Sequence, residues 1–577
     1  MILKKIASVI LIYGFSFTGG LAGESHHQVR ITDTLINNNT APAEYPEQVF
    51  VHTDRSIYIA GEDIWFSLYL LDAPGMAESE RSVVAYLEVV SSSNTPVAQI
   101  RSGISNGFAT GSIHLPDTIT TDFYFLRAYT NLMKNSGPDS FFHQDIFIFN
   151  PFKEQKLDTT PGNPIENEGE NDFNALIAGD IQKGISRISV RDSFGTREKV
   201  NIQMIIDTSC FEKGDRTSLS ISVAVASNSM SRPSMDTFLN KIKPGPGFSE
   251  ESIELKYPVE SFGPVLEGTI LYRQTLAPAS GLRLYLSTPS VVPEIMYSFS
   301  DSLGNFRFTL GPEEGMRDIV IQPADFAADW LIRINPPFSN QFSNNIKKTV
   351  YMNGTMAAKA SRMGINYQLC NIYSAFAIMS EYDILPRKTA KRFYGRPDIE
   401  ITLSDYIPLP TIEEVIHELA FGVSLRRQKS VYNLYITDDI TGERIANPDI
   451  VLINGLLIND MAIIATLDPE LVERIDIIKG RYQVGSVLFK GILSIILKES
   501  ESAGYEIPVS GMRTQYSPLA RTSYAGKLSY GLSRPFDSPV PDLRNTLLWE
   551  SKLRPDNNGV VDIEFFTSDF CSDYLIT

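Results

Sequence analysis

Gln48-Val49-Phe50-Val51-His52-Thr53-Asp54-Arg55-Ser56-Ile57-Tyr58-Ile59-Ala60-Gly61-Glu62-Asp63-Ile64-Trp65-Phe66 carries the clearest strand signal in the chain. It reads as short strands around Ala60-Gly61-Glu62, where glycine supplies the φ freedom of a tight turn. Beyond the turn, Ile64, Phe66, Leu68 and Leu70 alternate with Trp65, Ser67 and Tyr69, the period of a strand with one face in a core. Residues 83–90, 108–115, 123–129 and 145–149 repeat the pattern between turn formers, which predicts a sandwich over 45–152.

Working outward, 153–172 is rich in Pro, Gly, Asn and Glu and reads as a linker. Strand-like runs at 185–190, 200–206 and 219–225 predict a second sandwich over 173–250, ending in an irregular stretch, 227–250. A third β unit is expected over 257–340, from Gly268-Thr269-Ile270, residues 281–286 and the turn-and-strand Asp301-Ser302-Leu303-Gly304-Asn305-Phe306. Then the period changes. Met363, Tyr367, Cys370 and Ile378 recur at near-helical spacing, and Thr411-Ile412-Glu413-Glu414 is a capping box opening a helix whose buried face is Ile412, Val415, Ile416 and Leu419, with Gly422 to end it. Val451-Leu452-Ile453, the turn Asn454-Gly455 and a second short strand predict a hairpin. Asp468 with Pro469 predicts a further helix that passes into Arg474-Ile475-Asp476-Ile477-Ile478-Lys479-Gly480. The stretch Gly491 to Lys498 closes an α+β unit over 355–500. A last β segment, 535–577, carries Trp549 and reads as an incomplete sandwich, or one that takes a strand from elsewhere.

At 577 residues, about four domains are expected. A composition 43% hydrophobic and 21% charged belongs to an ordered protein. The net charge of −17 disfavours a nucleic-acid partner, since such binding draws on Lys and Arg neutralising phosphates. Lys4 and Lys5, an apolar run over 6–17 and the small residues up to Gly23 read as a secretory signal over 1–23, too short to span a bilayer. No other apolar stretch approaches spanning length, so no membrane span is expected. The cysteines Cys210, Cys370 and Cys571 are too scattered for a disulfide framework or a paired zinc site and are expected to be unpaired and buried.

The residues offer little chemistry. His417-Glu418 is half of a zinc-protease H-E-x-x-H pattern, but Phe421 stands where the second histidine belongs. His52 and Asp54 share a strand face and could pair, for which a structural hydrogen bond is the expected role. No nucleophile elbow, phosphate loop or dinucleotide fingerprint is present, so no catalytic residue, cofactor or metal is expected and the chain reads as a non-enzyme. Its many Tyr and Phe are expected mostly in cores, with a peptide or glycan surface as the other use.

Two family resemblances add to this reading. His52-Thr53-Asp54-Arg55, Tyr58, Gly61-Glu62, Trp65-Phe66, Leu126-Arg127-Ala128-Tyr129-Thr130-Asn131 and Asn150-Pro151-Phe152 resemble the macroglobulin-type β-sandwich at the front of large exported Bacteroidetes proteins. The resemblance implies structural roles for His52, Asp54, Tyr58, Gly61, Glu62, Trp65 and Trp549. The third β unit resembles the carboxypeptidase-regulatory-like sandwich. Asn454-Gly455, Arg474 to Gly480 and Gly491 to Leu497 resemble the plug domain of TonB-dependent outer-membrane receptors, with Asn454 and Lys490 departing from its pattern. Asn454, Gly455, Arg474, Asp476, Gly480 and Gly491 are thereby candidates for partner docking. The residues after Lys498 fall far short of the about 220 that an outer-membrane barrel of about 22 strands needs, so a transporter is not expected. No TonB box stands out.

The fold class expected is mainly β: tandem immunoglobulin-like or macroglobulin-like sandwiches plus a small α+β, TonB-receptor-plug-like domain. The expected function is a non-catalytic exported scaffold of the periplasm or outer membrane, binding a barrel receptor or the TonB apparatus. The alternative is a macroglobulin-like protease inhibitor or envelope scaffold without a thioester, since Cys210 lies in Ser-Cys-Phe-Glu, for which 227–250 would be the bait segment.

Overall fold

The computed structural model describes residues 47–577 except 73–76, 154–184, 190, 192, 207–218, 227–232, 234, 236–237, 239–254, 291, 293, 327–328, 344–353, 375–391, 485–486, 499–506, 508–510, 526–529 and 531–534. The signal segment 1–23, nearly all of the linker, Cys210, Ile378 and most of 227–250 lie outside the described residues.

The chain is mainly β, in three sandwiches and one mixed unit. In the first sandwich Glu47–Thr53 and Phe108–His114 flank Asp63–Asp72, with Val51 opposite Leu68. The facing sheet runs Ile57–Ile59, Phe142–Phe149, Asp122–Thr130, Val84–Ser91, Pro96–Gly103. Ile64, Phe66, Leu68 and Leu70 are fully buried, as the alternation predicts. Ser67, on the opposite face, is fully buried too, because its hydroxyl donates to the Ser551 carbonyl of the second sandwich at 3.2 Å.

The second sandwich is split along the chain. Lys199–Ile206 pairs with Val560–Phe566, setting Ile202 opposite Ile563. Leu219–Val225 lies between Thr546–Leu553 and Tyr574–Ile576. Of the two readings of 535–577, an incomplete sandwich or one that takes strands from elsewhere, the second describes the arrangement: the segment is the other half of the second sandwich, and the core joins Val200, Ile202, Ile221 and Val223 to Leu547, Val561, Ile563 and Phe565. The third sandwich is completed in the same way. Val265–Tyr272, Asn305–Thr309 and Trp330–Ile334 form one sheet. In the other, Arg317–Pro323 separates Arg283–Thr288 from the returning Met512–Tyr516. The mixed unit thus sits inside the third sandwich in chain order, and the third sits inside the second.

The mixed unit has a sheet ordered Ile399–Thr402, Val472–Val484, Val487–Leu497, Ile450–Ile453, Leu456–Leu457. Asn454 and Gly455, at φ +47° and +80°, make the two-residue turn that joins Ile453 to Leu456. The helix expected after Asp468 is a single 3-10 turn, Pro469–Leu471, although Asp468 does cap it by accepting from Glu470 N at 2.9 Å. Val472, Ile475, Ile477 and Ile478 are β-branched and buried, which suits a pleated sheet better than a helix. Helix α1, Gly354–Ser374, buries Met356, Ala360 and Met363 against Ile57, Ile59, Phe147 and Phe149. Helix α2, Ile412–Leu419, is capped as expected, with Thr411 Oγ1 accepting from Glu414 N at 3.2 Å. A small sheet of Val423–Gln428, Val431–Thr437 and Arg444–Ala446 follows it. No helix among the described residues is long and apolar enough to cross a membrane.

Candidate functional site

The motif residues of the first sandwich meet at its junction with the second. Thr53 ends the first strand, and Asp54 and Arg55 turn the chain into Ile57–Ile59. The fully buried Asp54 carboxylate collects four donors: Arg55 Nε at 3.0 Å, Tyr58 Oη at 2.9 Å, Trp65 N at 3.1 Å and Thr546 Oγ1 at 2.8 Å. Glu62 accepts from Ile59 N at 2.8 Å and Asn545 Nδ2 at 3.1 Å, and lies 3.1 Å from the Arg55 guanidinium. Burial opposes the charge on Arg55, but Glu62 and Asp54 outweigh it and hold the guanidinium above its usual range. Gly61, at φ +92°, is required by sterics as well, since a Cβ there would lie 2.6 Å from the Tyr367 hydroxyl of α1.

His52 does not pair with Asp54. Its ring nitrogens face Ser220 Oγ at 2.6 Å and Thr577 Oγ1 at 3.2 Å, and its ring lies 5.1 Å from that of Trp549. The Ser222 hydroxyl donates to the Asp54 carbonyl at 2.6 Å. The structure therefore brings all seven motif residues to one seam, where Asp54, Glu62 and His52 bond residues far away in the chain. Sequence reading quoted Arg55 within the motif without giving it a role, and missed Ser220, Ser222, Asn545 and Thr546 as members. The only trace is the polar pair Asn545-Thr546 before an apolar strand, which does not say what it meets.

A second buried junction joins the first sandwich to the third. Arg127 and Glu88, both fully buried, pair at 2.8 Å, and Arg127 also donates to the carbonyls of Ser339 at 2.6 Å and Gln341 at 2.7 Å. Beside them, Glu260 accepts from Tyr86 Oη at 3.0 Å and Val265 N at 2.7 Å. Lys134 Nζ donates to the Pro337 carbonyl at 2.6 Å and lies 4.4 Å from the Tyr86 ring centre. Arg101 donates to Tyr516 Oη at 2.9 Å.

Burial pushes Glu260 up to about 7, against the downward pull of Val265 N, Tyr86, Lys134 and Arg101. Burial likewise pushes Lys134 down to about 8. Because the folded state prefers Glu260 protonated, its contribution to stability is whole below its ordinary value of 4.5 and is lost as pH rises through about 7. His143, pushed by burial to about 4, tilts the other way, losing stability as pH falls below 6.5. Comparing Glu260→Gln with the parent chain isolates the first effect. Urea unfolding at pH 5 and pH 8 is expected to show the variant gaining, relative to the parent, about 3 kcal/mol between the two. Equal pH dependence in both chains would mean that Glu260 is not held protonated.

The six docking candidates share one sheet, but most of them are committed within it. Asn454 Oδ1 accepts from Leu497 N at 2.8 Å, and its carbonyl accepts from Ser290 N of the third sandwich at 3.0 Å. Gly455 completes that turn. Asp476 is buried under Tyr394 Oη at 2.7 Å, Arg474 Nε at 3.1 Å and Arg392 at 3.3 Å. Gly480 sits in the register shift between Ile478 and Arg481, with open space where a Cβ would stand. Gly491, at φ +73°, passes close to Pro448.

His417 lies exposed, 3.1 Å from Glu418. No group of three His, Cys, Asp or Glu suited to a metal occurs among the described residues. Cys370 is free and half-buried, whereas Cys571 is free and exposed, a correction to its expected burial: it follows Phe570, which packs with Met356 of α1 and Ile57, and turns outward. An open groove of about 450 Å³ lies on the first sandwich, lined by hydroxyls of Ser91, Ser93, Thr95, Thr120 and Tyr124.

No protein-family model matches the chain, and no curated protein does. Among solved structures it is similar to Escherichia coli α2-macroglobulin in its native conformation, at 12% identity over 52% of this chain and 15% of that one, TM-score 0.16. A mutant of Salmonella α2-macroglobulin matches at 9% identity over 95% and 39%, TM-score 0.21. Dimeric latent PorU from Porphyromonas gingivalis matches at 10% identity over 48% and 32%, TM-score 0.15. The chain spans only a minor part of the length of each of these structures.

Proposed function

We propose that the chain is a non-catalytic scaffold of the cell envelope, whose sandwiches hold the mixed unit against a protein partner at the outer membrane. One observation carries this reading: two buried ion pairs, Asp54 with Arg55 and Glu88 with Arg127, are consumed in seams between units, where they fix geometry. Charged groups so fully satisfied are suited to hold domains in register rather than to react. The signal-like leader supports export, and the plug-like motifs of the mixed unit support a barrel receptor or the TonB apparatus as the partner. The macroglobulin-type motifs of the first sandwich support a binding role.

The test is cross-linking in the native envelope from photoreactive residues placed at Phe421 and Ile440, which stand 86% and 92% exposed on the mixed unit. Capture of an outer-membrane barrel or a TonB component is the expected result. Recovery as a partnerless periplasmic protein would overturn the reading. Capture of a protease, with cleavage in 227–250, would replace it with an inhibitor.

A further inference from the structure

The strand Val423–Gln428 is an edge. Among the described residues it pairs with Val431–Thr437 and with no other strand. Thr437 N donates to the Gly422 carbonyl at 2.9 Å, so the pairs that exchange hydrogen bonds across this ladder are Ser424 with Tyr435, Arg426 with Asn433 and Gln428 with Val431. The alternate residues confirm the phase, because Leu434, opposite Leu425, turns its amide and carbonyl the other way, to Asn447. The backbone N–H and C=O of Leu425 and Arg427 therefore point away from this ladder, and no backbone group among the described residues meets them; Arg427 is exposed, whereas Leu425, at 3% exposed, lies at the covered end of the edge.

The same hairpin carries Arg426, Arg427 and Lys429, with Arg444 on the neighbouring strand, and residues 426–431 are exposed without interruption. Among the described residues none of these four cations lies within ion-pair distance of a carboxylate. Elsewhere in the unit the opposite holds: Arg392, Arg474, Lys479, Arg481 and Lys490 all face carboxylates. Two of the three guanidiniums lie instead over rings, Arg444 at 4.0 Å from the centre of Tyr435 and Arg427 at 5.7 Å from that of Tyr432, contacts that bring no carboxylate to them. Glu443, beside Arg444 in the chain, faces Arg481 and Lys490 instead, Asp439 faces Lys479, and Glu413, Glu414 and Glu418 of α2 pair with none of the four. In a chain of net charge −17 this is a local cationic surface around an open strand edge.

We propose that this edge docks an extended acidic polypeptide segment, which adds to it as a further strand and places its carboxylates beside Arg426, Arg427 and Lys429, with Arg444, on the opposite edge of the sheet, adding to the positive field; this deepens the binding reading above by naming a surface and a partner chemistry. Main-chain pairing supplies affinity in such additions, and the side chains supply selectivity. Cations on an edge strand also serve to keep copies of a protein from pairing with one another. The experiment separates the two roles.

The probe is a fluorescein-labelled eight-residue peptide of alternating Glu and Val, titrated against the full chain by fluorescence anisotropy, with the alternating Lys and Val peptide as its control. The acidic peptide is expected to bind, more weakly as salt rises, and the basic one not to bind. Joint replacement Arg426→Gln, Arg427→Gln, Lys429→Gln and Arg444→Gln is expected to weaken binding at least about tenfold. Arg427→Pro removes one outward N–H yet leaves the ladder to Val431–Thr437 whole, so it is expected to weaken binding about tenfold beyond Arg427→Gln. Absence of binding, equal binding of both peptides, or equal effects of Pro and Gln at 427 would overturn the proposal. So would self-association of the fourfold variant in sedimentation with peptide binding unchanged, which is the signature of an edge guard. Envelope cross-linking that still captures a partner with Arg427→Pro in place would overturn this surface while leaving the scaffold reading standing.

Discussion

Truncation after residue 540 is expected to unfold residues 185–226 while leaving the first sandwich folded. The cut removes Thr546–Leu553, Val560–Phe566 and Tyr574–Ile576, half of the six strands of the second sandwich. It also strips Leu547, Val561, Ile563 and Phe565 from a core they share with Val200, Ile202, Ile221 and Val223. Each large apolar side chain buried is worth about 1.5–3 kcal/mol, so losing four approaches or exceeds the 5–15 kcal/mol that holds a typical domain. The first sandwich keeps both its sheets, losing at the seam the donors Thr546 and Asn545, the Ser551 carbonyl that Ser67 donates to, and the contacts of His52 with Thr577 and Trp549. Amide hydrogen exchange should show protection lost over 199–206 and 219–225 and retained over 84–91 and 122–130. Protection at 199–206 in the truncated chain would show that the strands before residue 226 stand without those that return to them.

Asp54→Ala is expected to cost about 3–5 kcal/mol, the usual result of leaving a buried ion without its partner. Arg55 would keep Glu62 alone, while Tyr58 Oη, Trp65 N and Thr546 Oγ1 would lose their shared acceptor. If the charge left behind is the cause, Asp54→Ala with Arg55→Met should recover a substantial part of that loss, because an apolar pair has no charge to desolvate. Urea unfolding of the two single variants and the double variant provides the cycle. A loss below about 1 kcal/mol for Asp54→Ala would place this cluster with ordinary surface ion pairs.

How far the sequence could be read depends on the range of the interactions involved. Local rules succeeded where they are self-contained. The Asn454-Gly455 turn, the Thr411 cap and the alternation of Ile64, Phe66, Leu68 and Leu70 need only near neighbours, and each is present. The 469–480 region failed as a helix because a good N-cap starts only one turn, after which the β-branched run of Val472, Ile475, Ile477 and Ile478 prevails. Strand periodicity tells which face is buried but not which strand lies alongside. Nothing in Lys199–Ile206 names Val560–Phe566, more than 350 residues later, as its neighbour. For the same reason the seam was legible in part: its motif residues stood out, but the purpose of Asp54 depends on Thr546, and that of Arg127 on the carbonyls of Ser339 and Gln341.

The returning strands also decide how the molecule carries tension. Consider a pull between residue 47 and residue 577. Force enters the second sandwich along Lys199–Ile206 and Leu219–Val225 and crosses directly, through the ladders to Val560–Phe566, Thr546–Leu553 and Tyr574–Ile576, to the far end of the chain. Everything between residues 226 and 545, the third sandwich and the mixed unit included, is shunted out of that path. The mixed unit can therefore be held by a partner, or released from it, without feeling a load borne along the rest of the chain, for as long as those three ladders hold.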